Sequence, residues 1–288
     1  MNRLLGDLIE LLALERLDRD LFRGTSQDLG WGAIFGGQVL GQALSAATQT
    51  VTSDRHVHSL HGYFIRAGDV SGRIIYQVER LRDGKSFTTR RVSAVQEGEA
   101  IFSLEASFQV DEQGFDHQDA MPDVPPPEAL VSERDMALAM ADKLPPALRA
   151  RATAERPIEI RPVEVRNPLA PIVAPPKRHH WCRAIDALPD DPALHRYLLA
   201  YASDFAFLGT SMDPHGVSWL SPGMQVASLD HAMWFHRPFR FDEWLLYAVE
   251  SPSSSGGRGL ARGRFFDRAG KLVATCVQEG LIRKRVAR

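Results

Sequence analysis

The feature that most constrains this chain is an internal repeat that needs no gap. Phe64, Arg66, Tyr76, Val78, Glu79 and Arg91 recur as Phe235, Arg237, Tyr247, Val249, Glu250 and Arg262, each 171 positions further on. Tyr63/Trp234, Ile74/Leu245, Ile75/Leu246 and Ile101/Leu272 keep the same offset with conservative exchanges. Self-similarity on this scale means two copies of one supersecondary unit, and it narrows the folds open to the 288 residues.

Both copies carry the same order of signals from a strand through a helix to four further strands. Residues 4–14 (LLGDLIELLAL) read as an amphipathic helix, 21–27 as a strand, and 36–51 as a helix opened by two glycines. Four alternating strands follow, near 57–66, 73–82, 86–96 and 100–110. In the second copy IEIRPVEV and RHHWCRAID read as strands, and Asp191-Pro192 opens a helix to about residue 208. Strands near 225–236, 244–250, 258–267 and 271–283 close the chain. Between the copies lie PDVPPP, a short charged helical stretch, LPP and APIVAPP, a proline density that suits a segment wrapping a surface. We therefore place an N-terminal unit at 1–112, a Pro-rich linker at 113–155 and a C-terminal unit at 156–288. A long helix followed by antiparallel strands predicts the α+β class. The expected form is a double hotdog, with each sheet wrapped around one helix and the two sheets fused into one. Fusion removes one exposed sheet edge from each unit.

Several functions are excluded. A net charge of −2 supplies no overall basic field for nucleic acid or anionic lipid. No apolar run reaches the ~18 residues of a membrane span. Asp7 and Glu10 break the N-terminal apolar pattern, and the final VAR is not an SKL-type address, so a cytoplasmic location is expected. The two cysteines form neither a CxxC nor a zinc spacing. There is no G-x-S-x-G elbow and no Walker A loop, and GGRGLARG misses the dinucleotide spacing. No cofactor and no metal are expected.

Three polar residues stand in strongly apolar surroundings: Asp204 in LLAYASDFAFLG, Ser228 in QVASLDHAMWF and Gln278 in LVATCVQEGLIR. Burying such groups without partners costs about 1–3 kcal/mol each, so they should meet one another. Such a meeting could hold a water, with the carboxylate as general base and the hydroxyl and amide orienting the molecule. It could equally be a structural network, and the residues alone leave both open.

The stretches FGGQVLGQAL, HSLHGYFIRAGD, RDGKSFTTRRV, SLDHAMWFHRPFRFDEWLLY and GRGLARGRFFDRAGKLVATCVQEGLIR resemble the acyl-CoA thioesterase II family. The similarity spans nearly everything but the linker. It implies a double hotdog that hydrolyses acyl-CoA to fatty acid and CoA, using an aspartate, a threonine or serine, and a glutamine to activate water. Asp204, Ser228 and Gln278 occupy those motif positions, with serine where relatives often have threonine. Subtracting 171 from 228 and 278 leads to Val57 and Ser107, so a single site in the C-terminal unit is expected.

Secondary candidates are His58 near a pocket, Arg82, Lys85 and Arg90 as contacts for CoA phosphates, and Met233 on an acyl channel. Asp230 and His231 are neighbours on a strand and point to opposite faces, so they are not expected to share a site. A hotdog enoyl-CoA hydratase is an alternative, since DDPALH keeps Asp190 and His195 at that family's spacing without its asparagine. A non-catalytic acyl-CoA binder is another. By analogy with other hotdog proteins, a homodimer or homotetramer is expected.

Overall fold

A computed structural model describes residues 1–205 and 207–285. The N-terminal unit contains α1 (Arg3–Leu12), β1 (Glu15–Asp18), β2 (Leu21–Gly24), α2 (Gly36–Thr48), β3 (Arg55–Phe64), β4 (Ile74–Asp83), β5 (Phe87–Gln96) and β6 (Glu99–Val110). Two short helices follow, α3 (Glu133–Ala139) and α4 (Pro146–Thr153). The C-terminal unit contains β7 (Ile158–Pro162), β8 (Lys177–Ala184), α5 (Pro192–Ser203), α6 (Gly209–Met212), β9 (Met224–Ser228) and β10 (Asp230–Phe235). It ends with β11 (Leu245–Ser255), β12 (Arg258–Phe266) and β13 (Leu272–Lys284).

Alternation makes the strands. Along β5, Thr88, Arg90, Val92, Ala94 and Gln96 are buried and the residues between them are not, the period-2 pattern of a sheet with one covered face. The strands form one antiparallel sheet of 13, ordered β1-β2-β4-β5-β6-β3-β10-β13-β12-β11-β8-β7, with β9 also paired to β13. The two copies meet at β3 and β10, where Asp230 lies opposite Tyr63 and Trp234 opposite Ser59. Each copy thus hides one edge against the other, and the expected continuous sheet is what forms.

α2 and α5 lie side by side under the sheet. α2 is buried almost all round, from Gly37 to Ala47. A Cβ on Gly37 would lie 2.3 Å from the carbonyl oxygen of Tyr201, so the two helices touch backbone to backbone there and only glycine fits. Phe22, Leu40, Tyr76, Phe108, Leu198 and Tyr247 belong to one buried cluster that spans both units. A second cluster, including Trp181, Leu246 and Phe266, lies elsewhere on the C-terminal sheet. The linker covers it: Met121, Val124 and Leu130 pack on it, and the Pro125 carbonyl accepts from the Trp181 indole at 2.9 Å.

Some elements differ from expectation. β1 has all four residues exposed and so carries no alternating signal. α5 stops at Ser203, where Asp204 caps it, rather than near 208. The strand expected over 225–236 is broken at Leu229. Ser228 faces Gly280 and Ala232 faces Val277, so four steps on one strand span three on the other, which is a β-bulge. β3 has the same bulge at His58, between the pairs Val57–Phe108 and Ser59–Ser107.

The register also corrects two equivalences, that of Gln278 with Ser107 and that of Leu272 with Ile101, since Phe266 pairs with Leu272 where Val95 pairs with Ala100. Arg91 pairs with Glu105, and Arg262, 171 positions on, pairs with Val277, 172 positions beyond Glu105. The β12–β13 turn is one residue longer than the β5–β6 turn. Gln278 therefore corresponds to Ala106 and not to Ser107. Ser228 still corresponds to Val57, and both Val57 and Ala106 are buried in the apolar core.

Candidate active site

The end of α5, the bulged strand and β13 bring the three polar residues together. Asp204 follows the last turn of α5, Ser228 ends β9 beside the bulge, and Gln278 faces inward from β13. The Gln278 amide donates to Ser228 Oγ at 2.6 Å, and Ser228 Oγ lies 3.5 Å from Asp204 Oδ1. The other carboxylate oxygen, Asp204 Oδ2, accepts the backbone N–H of Gly37 at 2.9 Å. That donor comes from the N-terminus of α2, where the helix dipole also favours negative charge. A Cβ on the adjacent Gly36 would lie 2.7 Å from Asp204 Oδ2, so the glycine pair lets the helix approach the carboxylate. The first repeat thus contributes a donor to a site whose polar side chains come from the second. The glycines that open α2 were the available signal for this role.

Burial pushes the Asp204 carboxyl up to about 7, and the Gln278 amide, the Gly37 N–H and the Ser228 hydroxyl pull against that rise. A carboxylate poised near neutral pH can accept a proton from water and return it.

Asp204, Ser228 and Gln278 all open on a cavity of about 1440 Å³. Its walls are mixed. Val39, Phe64 and Phe207 are among the apolar contributors, and α3 and α4 of the linker supply Met136 and Leu148. At the rim the Arg151 guanidinium lies over the rings of Trp31 and Trp219, 5.1 and 4.7 Å from their centroids.

The secondary candidates lie elsewhere, and none of the five lines this cavity. Arg90 is buried and committed: its guanidinium donates to Thr50 Oγ1 at 2.8 Å and to Asp83 at 2.6 Å. Arg82 and Lys85 are exposed on the strand end and turn that follow β4 into β5. His58 sits at the β3 bulge with Nε2 2.8 Å from Ser107 Oγ, and Met233 is fully buried in the core. A turn rich in arginine and lysine looks the same in sequence whether or not a cavity lies beneath it. In the hydratase-like segment, Asp191 caps α5 by accepting from Ala193 N–H at 2.9 Å. Asp190 pairs with Arg240 at 3.1 Å, and His195 Nδ1 accepts the Phe241 N–H at 3.0 Å. Asp190 and His195 are outside the cavity lining and serve the fold.

Two helix-wrapped repeats on one continuous sheet make a double hotdog, and a carboxylate, a hydroxyl and an amide face its cavity. Residues 147–281 match the family model described as acyl-CoA thioesterase, and residues 25–109 match the acyl-CoA thioesterase N-terminal domain. Acyl-CoA thioesterase 2 of Haemophilus influenzae is 46% identical over 98% of this chain and 99% of its own length. Human acyl-coenzyme A thioesterase 8 is 47% identical over 96% of this chain and 91% of its own. The crystal structure of an acyl-CoA thioesterase II, TesB2, from Mycobacterium marinum superposes with a TM-score of 0.79 at 45% identity, over 96% of this chain and 98% of that one. The chain belongs to the acyl-CoA thioesterase family and is a thioester hydrolase.

Proposed function

We propose that the protein hydrolyses fatty acyl-CoA to a free fatty acid and CoA, using a water activated by Asp204 and oriented by Ser228 and Gln278. The observation that carries this reading is the convergence of these three side chains on one cavity, with the carboxyl held near 7. The acyl chain occupies the apolar part of the cavity. Asp204 takes a proton as the water oxygen attacks the thioester carbonyl carbon. When the tetrahedral intermediate collapses, the C–S bond breaks and the same proton passes to the departing sulfur. The thioester is electrophilic enough for direct attack, so no covalent acyl-enzyme is formed. We place the protein in the cytoplasm, in keeping with two buried free thiols, Cys182 and Cys276, and we expect it to assemble as a homodimer or homotetramer.

Thiol release measured across acyl-CoA lengths tests the reading. Free thiol is the expected product, whereas a hydratase would leave a hydroxyacyl thioester and a binder would leave substrate unchanged. Ser228→Ala and Gln278→Ala are each expected to lower kcat by about 10-fold or more. Ser107→Ala, whose register partner in the second unit is Glu279, should leave kcat as it is. Loss of activity in Ser107→Ala equal to that in Gln278→Ala would contradict the single site.

The base must be ionised, so kcat/KM should fall about 10-fold per unit as pH drops below about 7 and level off above it. A profile flat from pH 5 to 8 would exclude Asp204 as the base.

A further inference from the structure

We propose that His231 is a positioning residue of this site, holding the Gln278 amide so that its NH2 faces Ser228 and Asp204. The proposal rests on the hydrolytic reading above and deepens it. His231 is fully buried on β10, and its Nδ1 lies 2.7 Å from Gln278 Oε1. Its Nε2 lies 3.0 Å from the hydroxyl of Ser203, the residue before Asp204. One chain of polar contacts therefore runs from α5 through His231, Gln278 and Ser228 back to Asp204.

The bulge makes this possible. In a regular strand residues 228 and 231 would point to opposite faces. The extra residue at Leu229 turns both toward Gln278. Asp230, on the other face, accepts the backbone N–H of Glu279 at 2.7 Å.

Chemistry fixes the direction of the contacts. A glutamine amide has one accepting and one donating end. If its oxygen faced Ser228, that oxygen and the Asp204 carboxylate would compete for a single hydroxyl proton. With its NH2 toward Ser228, the oxygen turns to His231, which must then carry its proton on Nδ1. Burial drives the His231 ring down to about 4, so it is neutral, and its Nε2 faces the Ser203 hydroxyl, which also donates to the Ala200 carbonyl at 2.8 Å.

The first repeat supplies an internal control. The positions that match Ser228, His231 and Gln278 are Val57, Leu60 and Ala106, all buried and apolar. The same fold closes over a hydrocarbon core there, so it does not require an imidazole at 231. The polar set appears only in the repeat that carries the carboxylate.

The test is kcat, KM and thermal melting for His231→Leu and His231→Asn, each made in the wild-type and Gln278→Ala backgrounds. Leucine copies the first repeat and removes the donor. Asparagine places an N–H close to the position of Nδ1. The expected result is a kcat about 10–100-fold lower in His231→Leu with KM little changed. His231→Asn should recover most of that loss, and His231→Leu should add no further loss once Gln278 is alanine. An equal fold-loss from His231→Leu in both backgrounds, or no recovery with asparagine, would overturn the proposal. If leucine fails to fold, His231→Phe, a ring without a donor, takes its place in the same cycle. Wild-type turnover in Gln278→Ala would instead defeat the underlying hydrolytic reading. An impaired Gln278→Ala beside a fully active His231→Leu would defeat this proposal alone.

Discussion

Replacing Asp204 with asparagine is expected to lower kcat by about 10²–10⁴-fold and to raise the melting temperature at pH 8. The loss of rate follows from removing the proposed base while keeping its shape. Asparagine can still accept the Gly37 N–H, so α2 and α5 should stay in place. The gain in stability follows from linkage. The folded carboxyl titrates near 7, above its ordinary 3.8, because burial disfavours its charge. Folding therefore binds a proton between those values. The cost of the buried charge is absent below about 3.8, grows as pH rises, and is complete above about 7. A neutral amide never bears that cost, so the stabilisation should be present at pH 8 and vanish near pH 4. A variant with kcat within about threefold of wild type would remove Asp204 from the mechanism. A melting difference independent of pH would show that its carboxyl does not titrate as described.

Gly37→Ala should be the most damaging small change away from the three polar residues. Its new Cβ would lie 2.3 Å from the Tyr201 carbonyl oxygen, a backbone atom that cannot swing aside. Relief requires α2 and α5 to separate, and overpacking of this kind costs about 1–3 kcal/mol or more. Separation also draws the Gly37 N–H away from Asp204, which loses one of the groups that keep its carboxyl from rising further. Reduced kcat, an upward shift of the pH midpoint and a lower melting temperature are expected together. Gly41→Ala is a milder control on the same helix. Its Cβ would meet the Leu12 methyl at 2.9 Å and the Tyr197 carbonyl at 3.2 Å, and it lies one turn from the carboxylate. Equal activity losses in the two variants would mean that the helix N-terminus has no particular role.

Much of the fold is legible in the sequence because two copies of one pattern reinforce each other. The 171-residue offset locates the strands that meet at the centre, and the glycine-opened helix and alternating strands imply a wrapped sheet. Asp204, Ser228 and Gln278 are legible for a different reason: a polar group inside an apolar run has to find partners. What stays hidden depends on single-residue events. One extra residue in the β12–β13 turn moves the match of Gln278 from Ser107 to Ala106. One bulge residue at Leu229 turns His231 toward Gln278, although simple alternation correctly separates it from Asp230. Neither event changes composition or periodicity enough to be read beforehand. The cavity walls are hidden for a broader reason. α3 and α4 lie in a stretch whose proline content signals only a wrapping segment, and their place over the site depends on tertiary packing.

Direct attack by water, without an acyl-enzyme, is the central chemical claim. A single turnover in ¹⁸O-labelled water, with enzyme in excess over acyl-CoA and rapid acid quenching, tests it by mass spectrometry of both the fatty acid and the intact protein. The expected result is one ¹⁸O atom in the acid released by that first turnover and no added mass on the protein at any quench time. An acyl adduct on Ser228 or Asp204, or a first-turnover acid lacking the label, would contradict the account.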